Sequence, residues 1–79
     1  MALSKGKLFL ENDVFIDYSF EEVMYRWDHN SKKIYVKFYG NAETSKPVPH
    51  DNRLFNDAIL YGEQISLEQY EIGKARARL

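Results

Sequence analysis

His29 beside Asp28, and His50 beside Asp51, are the residues of this chain best suited to chemistry. A histidine with a carboxylate can hold a divalent cation or pass a proton, provided the two side chains converge. Neighbours along a strand or turn point apart, and no helical segment carries a His/Glu pair spaced to share a metal. Both histidines fall in turn or loop segments and read as solvated. Glu21-Glu22 and Glu11/Asp13 read as exposed charges rather than an acid/base couple. Ser19, Ser31, Ser45 and Ser66 have no nucleophile-elbow context, and isolated glycines make no phosphate loop. The residues therefore describe a non-enzyme, with no catalytic group, metal site or cofactor.

The elements that would position any binding residues are led by a hairpin. Residues 22–40 hold two alternating apolar/polar runs joined at Asn30-Ser31. That turn sets Asp28 opposite Lys33, Trp27 opposite Ile34, Arg26 opposite Tyr35, Tyr25 opposite Val36, Met24 opposite Lys37 and Val23 opposite Phe38. A wider turn over His29–Lys32 leaves the register unchanged. Val23, Tyr25, Trp27, Ile34, Val36 and Phe38 then share one face, and a slip of one residue would bury Lys33 and Lys37. Ser19 with Glu22 also fits a helical capping box, with Phe20, Val23, Met24 and Trp27 at helical spacing. The strand is preferred because Tyr, Val and Trp favour strands and the second run pairs so well with the first.

The remaining elements follow in order. Residues 7–10 and 14–18 read as short strands about an Asn12-Asp13 turn, extending the hairpin to three or four antiparallel strands. Pro47 and Pro49 make 41–49 a surface loop. Leu54, Phe55, Ala58 and Ile59 form a helical stripe over about 51–61, with Asp51 or Asn52 as cap and Gly62 as stop. A second helix over about 67–75 starts with a Ser66/Gln69 capping box and an Ile65–Tyr70 staple, and turns Leu67, Tyr70 and Ile72 inward. The expected fold is a single α+β domain over 1–79: an antiparallel meander, then two short helices, the first packed on the hairpin's apolar face.

Composition bounds the function. The chain has 79 residues, no cysteine, and twelve aromatics of which six are tyrosine. So small a core without disulfides or thiolate metal sites gains stability by pairing with a partner or with a second copy. A net charge of −1 excludes a generally basic nucleic-acid binder. It is unevenly spread: residues 29–50 carry four lysines against Glu43 alone, and the chain closes on Lys74, Arg76 and Arg78. That basic ending reads as complementing a helix C-terminus, or else as docking on an acidic partner. No apolar run approaches the ~20 residues of a membrane span, and no signal peptide is evident, so a cytoplasmic protein is expected.

The hairpin's second face is the candidate partner surface: Met24, Arg26, Tyr35, Lys37 and Tyr39. Tyr and Met flanked by charge suit a protein contact, including a two-fold contact in a homodimer. The same face supports an alternative, single-stranded nucleic acid stacked on Tyr35 and Tyr39 with Arg26 and Lys37 along its backbone. The run Lys-Lys-Ile-Tyr-Val-Lys-Phe-Tyr-Gly loosely resembles the aromatic strands of sheet-surface RNA binders. It departs from the RRM signature in lacking the opening basic–Gly–aromatic triplet, and the βαββαβ order is absent, so no membership follows. A small non-enzymatic interaction module is the reading these residues favour, and the face could instead be covered by the N-terminal strands or the second helix.

Overall fold

Alternation governs the centre of the molecule as the sequence implies. The computed structural model describes residue 9 and residues 11–74. Strands β1 (Val14–Tyr18), β2 (Val23–Asp28) and β3 (Lys33–Phe38) form a consecutive antiparallel sheet. The β2–β3 register is the expected one at all six pairs, from Val23↔Phe38 to Asp28↔Lys33. The wider turn is the one formed: Lys32 N–H donates to the Asp28 carbonyl at 2.7 Å, with Lys32 itself left-handed at φ 58°. Ser19–Glu21 is only a single 3-10 turn between β1 and β2, so the rival helix over this stretch does not form.

Helix α1 (Arg53–Tyr61) lies over one face of the sheet. The Asn52 side chain caps it, accepting from Phe55 N–H at 2.9 Å. Phe55, Ala58 and Ile59 are buried against Val14, Ile16, Tyr18, Val23, Tyr25, Ile34 and Val36. Gly62 ends the helix where a Cβ would stand 2.6 Å from the Ala58 carbonyl oxygen and 2.9 Å from Ile16 Cγ2. Only glycine allows so close an approach of helix end to strand. The proline-containing loop runs back along the outer edge of β3, where Val48 N–H donates to the Ile34 carbonyl at 2.8 Å and Thr44 N–H to that of Val36 at 2.9 Å. It covers an edge that would otherwise be open to pairing.

Two placements differ from the sequence reading. The fourth strand, β4 (Glu63–Ile65), comes from between the helices and pairs antiparallel with β1, giving the order β3-β2-β1-β4. Three residues were too few to show periodicity. The strand expected over 7–10 lies outside the described residues except for Phe9, whose backbone is helical. β1 is therefore central, flanked by two strands and covered on both faces, and all five of its residues are buried. That explains its poor alternation, since a strand buried on both sides has no polar face to show.

Helix α2 (Leu67–Ile72) covers the other face. Its capping box forms as expected, with Gln69 N–H donating to Ser66 Oγ at 3.1 Å and Ser66 N–H to Gln69 Oε1 at 3.0 Å. Ile65 packs against the cluster that contains Tyr70. Tyr70 alone is buried, whereas Leu67 and Ile72, expected inward, are 52% and 76% exposed. Gly73, at φ 71°, ends the helix short of 75.

Candidate functional site

The five residues of the hairpin's second face have three different fates. Met24 and Tyr39 are buried with Phe15 and Tyr70 beneath α2, so they offer a partner nothing to touch. Tyr35, Arg26 and Lys37 remain half-buried. Each of the two cations is already engaged. The Arg26 guanidinium grips Glu43 in a bidentate pair, Nε to Oε2 at 2.8 Å and Nη2 to Oε1 at 3.1 Å, and lies 4.4 Å above the Tyr35 ring. Lys37 Nζ donates to the carbonyls of Tyr70 (2.7 Å) and Glu71 (3.0 Å), satisfying the last turn of α2.

Glu43 is the residue that sequence reasoning missed, although it is the lone acid among four lysines in 29–50. It accepts from the Tyr70 hydroxyl at 2.5 Å as well as from Arg26. Burial alone would raise its pKa. The Arg26 and Tyr70 hydrogen bonds, with the charges of Arg26 and Lys37, more than offset that and hold the carboxyl below its ordinary value. Burial, then the bond to Glu43, pushes the Tyr70 phenol well above its usual range. An open groove of about 430 Å³ is lined by Arg26, Lys37 and Glu43 on one side and by Leu67 and Tyr70 on the other.

A second network was equally invisible. Asp17 is 5% exposed on the α2 side of β1, where it accepts from the Tyr39 hydroxyl and from Lys74 Nζ. Lys74 is the described part of the basic ending, and it serves an internal carboxylate; Arg76 and Arg78 lie outside the described residues. Burial, then the Asp17 hydrogen bond, raises the Tyr39 pKa.

The histidines do not pair as their neighbours in sequence suggested. His29 meets Asp13, Nδ1 to Oδ1 at 2.6 Å, and with Asp28 these residues bring three ligand atoms within 4.8 Å of one another. The trio is accounted for by the turn itself. Asp28 accepts from Asn30 and Ser31 N–H at 3.0 and 3.3 Å, and Asp13 also accepts His29 N–H at 3.0 Å. The Ser31 amide, with smaller contributions from Asn30 and Arg26, outweighs the opposing desolvation and lowers the Asp28 pKa. His50 stands apart, its ring 5.7 Å from Trp27 and its Nε2 2.8 Å from the Lys32 carbonyl.

The chain matches the family model described as Tis1 immunity protein over residues 1–74. It belongs to the Tis1 immunity protein family. It is 56% identical over 73 residues to the immune protein Tis1 of Pseudomonas aeruginosa (strain UCBPP-PA14), covering 92% of this chain and 95% of that one. It also superposes with a TM-score of 0.93, at 53% identity, on a chain from the crystal structure of the complex between the Type VI effector Tas1 and its immunity protein. That match covers 96% of this chain and 100% of the other.

Membership in the Tis1 family makes this a protein-interaction module. Nothing in the comparisons supports the nucleic-acid alternative or catalysis. The structure offers a reason on the first point: Arg26 and Lys37, which were to follow a phosphate backbone, are held by Glu43 and by α2. Among the described residues, no helix is long and apolar enough to cross a membrane.

Proposed function

We propose that this chain is the immunity partner of a Tas1-type Type VI effector, binding the effector and holding it inactive. The observation that carries the reading is the match to a chain of the effector–immunity complex over essentially its whole length, at 53% identity. The fold suits the task. A sheet covered on both faces, with its polar groups satisfied internally, is a rigid body that loses little freedom on binding. Arg26, Tyr35 and Lys37, the accessible part of the hairpin's second face, contribute to the contact, with Met24 and Tyr39 supporting them from beneath. The cysteine-free composition suits a cytoplasmic encounter.

The test is to mix the purified chain with Tas1, follow co-elution by gel filtration, and express the two together in bacteria. A stable complex and protection from the effector are expected. No complex and no protection, where the Pseudomonas relative provides both, overturns the reading.

A further inference from the structure

One end of the sheet carries an apolar surface that the fold does not need. Tyr18, Val23 and Phe38 stand in one row across β1, β2 and β3, and therefore on one face, the face that α1 covers. The C-terminal end of α1 lies at this end too, because a Cβ on Gly62 would meet Asp17, the residue before Tyr18. Around that row, Phe20 is 82%, Tyr61 72% and Phe38 44% exposed. They are half of the large apolar side chains exposed among the described residues.

Phe20 is the most informative. It sits in the 3-10 turn of Ser19–Glu21, where a link between two strands requires no aromatic, and its ring lies 6.2 Å from that of Tyr18. The turn is pinned rather than loose. Glu22 is held left-handed at φ 54°, donates its N–H to the Ser19 carbonyl at 3.1 Å, and accepts from Tyr39 N–H at 2.9 Å. A non-glycine residue in that region is strained and persists because its surroundings impose it. The result is an aromatic presented to solvent from a backbone held in place, as suits an interface anchor.

The rim of this patch is acidic. Glu21 follows Phe20 directly, and Asp57 lies one helical turn before Tyr61. Burial and then the charges of Asp57 and Glu21 hold the Tyr18 phenol above its ordinary pKa, which places both carboxylates close by.

Resting on the effector reading above, we propose that this end of the sheet is the effector's main seat, with Arg26, Tyr35 and Lys37 on the opposite face making a secondary contact. Phe20 and Tyr61 are the anchors, and Glu21 and Asp57 draw a lysine- or arginine-bearing segment of it. The acidic rim decides between occupants. A second copy docking here would set Glu21 and Asp57 against like charges, and a nucleic acid would bring phosphates to carboxylates. A basic protein surface meets both the charge and the aromatic centre.

The test titrates Tas1 with the unaltered chain, Phe20→Ala, Phe20→Ala/Tyr61→Ala and Glu21→Lys/Asp57→Lys, with thermal unfolding in parallel. Truncating an anchor of this kind costs about thirtyfold in affinity, and the double variant about a hundredfold or more. Unfolding temperatures stay unchanged, because these side chains are exposed. The charge-reversed variant associates more slowly, most clearly at low salt. Binding by the double variant within about twofold of the unaltered chain overturns the proposal while leaving the effector reading intact. Failure of the unaltered chain to bind Tas1, where the Pseudomonas relative binds, overturns the effector reading and this proposal with it.

Discussion

Lys37 on β3 donates to the Tyr70 carbonyl on α2 at 2.7 Å, and that single ammonium closes the C-terminal turn of a six-residue helix. So short a helix has little intrinsic stability and depends on its cap and its packing. Lys37→Met keeps the aliphatic stem but leaves two carbonyls without their donor. A loss of about 1–2 kcal/mol is expected in urea unfolding. Amide exchange should quicken at the end of α2 before it does in β2. Uniform quickening would show that α2 does not depend on this contact.

Arg26, Glu43 and Tyr70 tie the 41–49 loop to sheet and helix, and the tie depends on pH. The Glu43 pKa is depressed in the folded state, so the unfolded chain takes up the proton first as pH falls. Its contribution is fully present above the ordinary glutamate pKa and is lost as pH drops through the lower, folded-state value. Glu43→Gln should be less stable than the unaltered chain at pH 7 and should narrow the gap below about pH 4. Unfolding temperatures measured from pH 3 to pH 7 check this, and a constant gap over that range would refute it.

Asp17 should be the most sensitive polar residue. Asp17→Ala strands the Tyr39 hydroxyl beneath α2 and removes the carboxylate that Lys74 reaches, for an expected loss of about 3–5 kcal/mol. Lys74→Met should cost less, about 1–2 kcal/mol, because the lysine is 54% exposed and the buried Asp17 carboxylate keeps the Tyr39 hydroxyl. Equal losses in denaturant unfolding would contradict this division.

How far sequence carried the structure can be judged on particular residues. The hairpin register was legible because one buried face punishes any slip, and the Ser66/Gln69 and Asn52 caps because local hydrogen-bonding rules suffice. β4 was not, since three residues paired to β1 show no period of their own. Whether the second face is open or covered stayed undecided for a related reason. Alternation shows which residues share a face, but not whether a distant helix covers it. The networks at Glu43 and Asp17 join residues 17 to 57 positions apart, and no local pattern records such pairs. Phe20 fitted only the rival helical stripe, and nothing local to it shows that a 3-10 turn sends it outward.

Tyr35 and Tyr39 provide the sharpest separation of surface from core. Four residues apart and assigned by alternation to one face, they differ because α2 reaches only one of them. Tyr39 is 7% exposed within the Phe15–Met24–Tyr70 cluster, while Tyr35 is half-buried under the Arg26 guanidinium. Tyr39→Ala should cost about 3–5 kcal/mol by leaving a cavity and an unpaired Asp17 oxygen. Tyr35→Ala should cost about 1 kcal/mol, chiefly the lost stacking of Arg26. With Tyr35 in the proposed effector contact, Tyr35→Ala should bind Tas1 more weakly while unfolding almost normally. Tyr39→Ala should bind in proportion to the fraction that remains folded. Comparing affinity with folded fraction for both variants decides the matter, and a Tyr39→Ala chain that is fully folded yet unable to bind would place Tyr39 in the contact itself.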